Sequence, residues 1–398
     1  MKFFGKLCET GQTVLLETSG AQIKSLQAVS TPPAGVLGDN ANNDIIGGED
    51  VWISPGFIDL QFNGYGGYDF NRASWTTGES SEEAPRKIVD LAARAGTAML
   101  CPTIVTKSRE GMIESLQFLS EAIESDRVLR NAVPAFHIEG PYISSEEGLR
   151  GAHPKEHTRD ANWDEFQEFQ EAANGRIKIL TLAPERVGAI PFIEKASAAG
   201  IAVALGHTGA SPSQIRDAIS AGARLSTHLG NGSQNLIQRH ANYFFEQLAS
   251  DELTSCIIPD GHHLPPELVK IIARVKGNKN LIIVSDAVAL GGKPPGIYDD
   301  GRHEVLPSGK VVLAGTPYLA GAGHLLDTCA ANTLRWTELG MSGLTQVAST
   351  NPARVLGLKN TGYINLQHDA DLTLFRETKT GPLEIVATVL KGEVLYRQ

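Results

Sequence analysis

Eight short, nearly unbroken apolar segments recur between residues 53 and 285, and stretches of helical spacing separate them. They are ISPGFIDLQF (53–62), TAMLCPTIV (97–105), VPAFHI (133–138), IKILTLA (177–183), IAVALG (201–206), ARLST (223–227), TSCII (254–258) and LIIVS (281–285). Continuous apolar runs of strand length, set between helices, are what a parallel sheet buried on both faces demands. The helices are legible too. Residues 86–96, 190–200 and 211–222 each end in glycine, a common helix stop. Ser211 followed by Pro212 fits an N-cap and a first helical position. Eight such strand–helix units predict a (β/α)8 TIM barrel, with a doubly wound open sheet as the alternative.

The two ends differ from this middle. Residues 13–18 (TVLLET) predict a strand, and 31–50 are turn-rich with no helix. Residues 362–375 and 384–397 alternate apolar and polar, the period of a half-buried strand, with a tight turn at Gly392-Glu393-Val394. Each end is too small to fold alone. They are expected to share a small β-sandwich domain, 1–53 with 359–398, around a barrel domain spanning 54–358.

Composition narrows the partners. Lys and Arg number 35 against 45 Asp and Glu, a net charge of −10. That argues against a general nucleic-acid binder, which needs a basic surface. An apolar content of 41% excludes a disordered chain. Cys8, Cys101, Cys256 and Cys329 lie too far apart for a zinc knuckle or redox motif and read as reduced core residues. The N-terminus lacks an apolar signal core, and no run approaches the ~20 residues of a membrane span. The chain is expected in the cytoplasm, without a membrane partner.

Catalytic groups of a barrel enzyme sit at the C-terminal ends of its strands. The residues there are Gln61 and Asn63, Thr103 and Thr106, Glu139, Glu185, His207, His228, Asp260 with His262 and His263, and Asp286. Three consecutive units ending in histidine, with carboxylates on strands three and eight, suggest a metal. A catalytic site of the zinc type takes about three N/O ligands and keeps one position open. Glu139, His207 and His228 supply that set. Asp286, after the apolar LIIV, is placed to move a proton; the alternative is a helix cap. Glycines accompany the positions in HIEGPY, LGHTGAS, THLGNG and PDGHH, where backbone must approach a ligand closely.

In this order and spacing, PGFIDLQFNGYGG (55–67), CPTIVT (101–106), FHIEGPYIS (136–144), GAH (151–153), TLAPE (181–185), LGHTGAS (205–211), THLGNG (227–232), PDGHH (259–263), SDAVALGG (285–292), LAG (319–321) and NPARVLGL (351–358) closely resemble the N-acetylglucosamine-6-phosphate deacetylase family of metal-dependent amidohydrolases. The resemblance implies hydrolysis of N-acetyl-D-glucosamine 6-phosphate to D-glucosamine 6-phosphate and acetate. The alternative is another N-acyl amino sugar, phosphorylated or not, or a cyclic amide. It makes Glu139, His207 and His228 the metal ligands and Asp286 the general acid–base. His153 then polarises the acetamide carbonyl, and Gly151, Ala152, Asn231, Gly232 and His263 contact the sugar phosphate. Arg239 is implied to bind phosphate in the neighbouring subunit of a homodimer; read alone, Arg239 and His240 could be a solvated surface pair. Leu319, Ala320 and Gly321 are implied to line the acetyl pocket, although LAG also occurs at 313–315.

Where many amidohydrolases place His-x-His for a second metal, this chain has Gln61-Phe62-Asn63. Amides are weak metal ligands. One divalent ion per subunit is therefore expected, zinc first, with iron, cobalt or manganese also compatible. Gln61 and Asn63 then become outer or substrate-side groups. Gly230 and Gly232 flank Asn231 where the family usually carries bulkier residues, which loosens that loop.

Overall fold

A computed structural model describes residues 1–33, 45–71, 81–298, 301–316 and 318–398. Residues 34–44, part of the turn-rich stretch, lie outside the described residues. All eight apolar segments contain barrel strands: Phe57–Phe62, Thr97–Val105, Phe136–Glu139, Ile177–Leu182, Ala202–Leu205, Leu225–Ser226, Thr254–Ile257 and Leu281–Ile283. They pair in parallel, in chain order. A doubly wound sheet would reverse its strand order midway, and this one does not.

The last strand meets the first beyond their ladders. Asp286 N–H donates to the Gln61 carbonyl at 2.9 Å, and Asn63 N–H to the Ala287 carbonyl at 2.8 Å. The Asp59 carboxylate, buried in the same seam, accepts from Ser285 N–H at 3.2 Å. Closure thus falls on the residues flanking Asp286.

The expected helices are present as Ala84–Arg94, Ala189–Ala198 and Pro212–Ala221. Ser211 caps the third reciprocally: its hydroxyl accepts from Gln214 N–H, and the Gln214 side chain accepts from Ser211 N–H at 2.9 Å. The Trp163–Ala172 helix lies outside the barrel and buries Phe166 and Phe169. These helices and the barrel strands share one large apolar core.

Both termini build one seven-stranded sheet. Its order is Glu393–Arg397, Glu384–Leu390, Leu372–Arg376, Ile45–Pro55, Lys2–Leu7, Thr13–Ser19 and Gln22–Ala28. Neighbours are antiparallel except Lys2–Leu7 with Ile45–Pro55. The tight turn sits one residue earlier than expected, at Lys391 and Gly392, both left-handed at φ 46° and 74°. That conformation matches the twist of the flanking strands. Residues 362–371 form no strand beyond a single bridge from Asp369 to Gln22; their backbone makes scattered bonds at the edge of the strand Gln22–Ala28, Gln367 N–H to Ile23 O and Ala370 N–H to Ala21 O.

A three-stranded flap of Gly296–Tyr298, His303–Val305 and Val311–Leu313 follows the eighth barrel strand. Its short strands lack the length and apolar continuity of the barrel set, and sequence periodicity does not reveal it.

Candidate active site

Glu139 ends the third barrel strand, and His207 and His228 stand two residues beyond the fifth and sixth; all three are buried. Their ligand atoms converge within 4.8 Å of one another. Glu139 Oε1 stands 3.1 Å from His207 Nε2 and 3.0 Å from His228 Nε2, and the two Nε2 atoms are 3.1 Å apart. Gln61 donates its amide to the same oxygen at 3.0 Å. Burial opposes ionisation of Glu139, but His207 and His228 more than offset it and hold the carboxyl well below its usual range.

This donor set fits a divalent metal ion. His207 Nδ1–H donates to the Leu149 carbonyl at 2.8 Å, which leaves the Nε2 lone pair facing the cluster. His228 Nδ1 is buried and has no hydrogen-bond partner among the described residues, and its Nε2 faces the cluster. Glycines press on His207. Gly151 and Gly232 are left-handed, and a Cβ on Gly232 would lie 2.8 Å from Nδ1. The two glycines around Asn231 therefore serve packing: Gly232 permits contact with the imidazole, and a side chain there would displace it.

His207, His228 and Asp286 share one backbone feature. Each is left-handed, with φ of 51°, 28° and 53°. Non-glycine residues adopt this region sparingly, and Asp and His are among those that tolerate it. Three such residues at three strand ends mark one strained rim.

Asp286 faces the same cavity as the cluster. No helix starts there, so the capping alternative does not hold. Asn63 donates its amide to Asp286 Oδ1 at 2.8 Å. Burial first, then the Glu139 charge, raise the Asp286 carboxyl to about 8. A cation among the ligands acts in the opposite sense and favours the carboxylate.

The cavity holds about 800 Å³. Among its lining residues are Gly151, Ala152, His153, Asn231, Gly232 and His263. The His153 ring lies 4.5 Å from that of His207, and its Nδ1 is 2.9 Å from the Thr106 hydroxyl. Burial, then His207, push its imidazole down to about 3, so the ring is neutral. His263 Nδ1–H donates to Asp260 Oδ2 at 2.9 Å. Burial would raise Asp260, but this imidazole and two backbone N–H groups bring it to about 2.

Leu319, Ala320 and Gly321 line the cavity, whereas of the earlier LAG only Leu313 does. Gly321 is left-handed, and a Cβ would lie 2.1 Å from Val288 Cγ1. Arg239 is exposed and does not line its own chain's cavity. Glu185 stands outside as well. It accepts from Gly209 N–H at 2.8 Å and fixes the loop after His207.

Sequence reading missed Asp69, Asn71, Arg150, Lys310 and Tyr318, which also line the cavity. Arg150 donates to the His153 carbonyl. Asp69 ends the two-residue strand Tyr68–Asp69 and the others sit in loops and the flap, where no periodicity marks them. The position of Arg150 directly before GAH is the one signal available.

A (β/α)8 barrel with a buried Glu–His–His cluster and an aspartate at its strand ends defines a hydrolase of the metal-dependent type. Residues 52–395 match the amidohydrolase family, and the chain belongs to that family. It is 33% identical over 355 residues to N-acetylglucosamine-6-phosphate deacetylase of Bos taurus, covering 87% of this chain and 83% of the relative. N-acetylgalactosamine-6-phosphate deacetylase of Shewanella sp. is 30% identical over 87% of this chain and 83% of its own. The crystal structure of N-acetyl-D-glucosamine-6-phosphate deacetylase from Mycobacterium smegmatis superposes with a TM-score of 0.85 at 26% identity over the full length of both chains. A mutant of that enzyme has been solved in complex with N-acetyl-D-glucosamine-6-phosphate.

Proposed function

We propose that this chain hydrolyses the acetamide of N-acetyl-D-glucosamine 6-phosphate, releasing acetate and D-glucosamine 6-phosphate. The observation that carries the reading is the convergence of Glu139, His207 and His228 in one cavity with Asp286. A divalent ion held by these three residues would acidify water and polarise the amide carbonyl. Zinc suits a two-histidine, one-carboxylate set, and iron, cobalt or manganese remain compatible. The weak amide ligands Gln61 and Asn63 support a single ion at the catalytic cluster, with no second one beside it.

The chain's own residues do the rest. Asp286 accepts a proton from the attacking water as its oxygen bonds to the carbonyl carbon. It returns a proton to the nitrogen as the C–N bond breaks, so one water yields one acid and one amine. His153 donates from Nε2 to the developing oxyanion. For that tautomer the single Thr106 hydroxyl proton must point to Nδ1 at 2.9 Å instead of to the Glu139 carbonyl at 3.2 Å, the longer of its two contacts. Gly151, Ala152, Asn231, Gly232 and His263 bind the sugar phosphate, and Leu319, Ala320 and Gly321 enclose the acetyl group.

Arg239 contacts the phosphate of a partner subunit in a homodimer. Support comes from its exposure away from its own cavity and from the exposed apolar Leu236 and Ile237 beside it, 90% and 40% accessible. An arginine fork suits a phosphate in an acidic protein. Four free, buried cysteines favour a cytoplasmic setting; no helix among the described residues is long and apolar enough to cross a membrane. The division into a terminal β domain, 1–53 with 359–398, and a barrel, 54–358, is supported by one apolar cluster built only from residues of the two terminal stretches, Phe3, Leu16, Ile53, Leu374 and Val389 among them.

Acetate release decides the reading. It should be fast from the 6-phosphate, slow from unphosphorylated N-acetylglucosamine, abolished by chelation and restored by metal. Equal or faster release from N-acetylgalactosamine 6-phosphate would reassign the sugar. No release from either sugar phosphate with metal bound would overturn the assignment and direct attention to cyclic amides.

A further inference from the structure

Two histidines outside the Glu139 cluster face each other at the rim of the cavity. His262 follows the seventh barrel strand, and His324 lies just before the helix Leu326–Trp336. Their Nε2 atoms are 3.3 Å apart, their ring centroids 5.3 Å, and their planes differ by 21°. The flap contributes a third donor: the Ser308 carbonyl oxygen is 3.3 Å from His324 Nε2 and also acts on His262. Gly309 admits this approach, since a Cβ there would lie 3.0 Å from His324 Cε1.

The spacing discriminates between two uses of an imidazole pair. As a direct hydrogen bond this contact is long, since N–H···O bonds, the nearest reference, span about 2.7–3.2 Å. Two imidazoles on one tetrahedral ion, with metal–nitrogen bonds of ~2.0–2.1 Å, have their nitrogens about 3.3 Å and their ring centres about 5.2 Å apart. The observed pair matches the second geometry. Asp260 accepts from the backbone N–H of His262 at 2.8 Å and places a negative charge nearby.

We propose that His262, His324 and the Ser308 carbonyl form a second divalent transition-metal site, separate from the Glu139 cluster, that ties the flap tip to the barrel rim. Water completes the coordination. The ion is structural: it fastens the strand Val311–Leu313 and the segment carrying Leu319 to Gly321 over the cavity.

The test counts metal. Full-length protein is equilibrated with zinc, freed of excess and analysed for bound ions, in parallel with a cobalt titration followed by visible absorbance. Wild type should bind two ions per chain and His324→Asn one, with the first equivalent retained as proof of folding. His262→Gln supplies an independent removal with the same expected loss. Saturation of wild type at one ion overturns the proposal. So do two ions in both variants, which would place the second elsewhere, for instance near Gln61 and Asn63.

Discussion

The Asn63 side chain donates to Asp286 Oδ1 at 2.8 Å across the seam where the barrel closes. Two backbone hydrogen bonds flank this contact: Asp286 N–H to Gln61 O at 2.9 Å and Asn63 N–H to Ala287 O at 2.8 Å. The seam that closes the fold therefore also orients the Asp286 carboxylate, the proposed proton-transfer group. The amide favours the carboxylate form, against the burial that raises the Asp286 pKa.

Replacing Asn63 with Ala should weaken that control. A hydrogen bond to a charged group is worth about 1.5–3 kcal/mol, so kcat should fall roughly ten- to a hundredfold. The acid limb of the pH–rate profile should move to higher pH, because the carboxylate loses a stabilising donor. Bound metal should stay at the wild-type level. An unchanged profile would show that Asn63 does not set the Asp286 protonation state.

Arg239 can be tested through the partner subunit. Arg239→Ala should raise KM for the phosphorylated substrate and leave KM for the unphosphorylated sugar unchanged. Asp286→Asn should lose turnover by a factor of about 10² or more with metal retained. Mixing and reassembling the two variants should recover activity that neither shows alone, since one site in each mixed dimer has an intact aspartate and an intact arginine. A strictly additive mixture would confine Arg239 to its own chain.

Gly232→Ala probes the support of His207. The residue is left-handed, and its new Cβ would lie 2.8 Å from Nδ1. The ring must tilt away from its Leu149 partner, and metal affinity should drop by about 10–100-fold, the usual effect of disturbing a ligand's support. Metal-competition titration measures it directly. Wild-type affinity would mean that the loop yields instead of the ring.

Removing the metal should expose a pH-dependent cost in the barrel. Burial raises Asp59 to about 7, and burial with the Glu139 charge raises Asp286 to about 8. In the unfolded chain both ionise near about 3.9. Between those limits the folded state binds more protons, so stability is fullest below the unfolded value and declines as pH rises through the folded ones. Chelated protein should melt at a lower temperature at pH 8 than at pH 5. Metal-loaded protein should show a shallower slope, because the ion favours ionised Asp286. Because neutral buried His153 acts in the opposite sense below about pH 6.5, the deciding comparison is Asp286→Asn: a pH slope of the chelated variant identical to that of the chelated wild type would refute the raised Asp286 carboxyl.

Much of this was legible in the chain. Eight apolar runs predict eight parallel strands because a strand buried on both faces has no polar alternation to disguise it. Strand-end position then selects Glu139, His207, His228 and Asp286, since the barrel presents its C-terminal ends on one face. The flap escaped because its three-residue strands carry no usable period. Asp69, Asn71, Arg150 and Tyr318 escaped because residues of loops and of a two-residue strand reach the cavity by folding.

The sequence by itself determined which residue types stand at the strand ends, and hence the chemistry available. Only the tertiary structure decided how they meet. Glu139, His207 and His228 are 68 and 89 residues apart along the chain, yet their ligand atoms share one small volume. Gln61 and Asn63 acquire their roles in the same way, one held to Glu139 and the other to Asp286. The meeting of His262, His324 and Ser308 depends on where the flap folds back. Local sequence sets strand and helix through short-range sterics and burial period. Barrel closure brings distant groups together through packing, and no periodicity in the chain records that encounter.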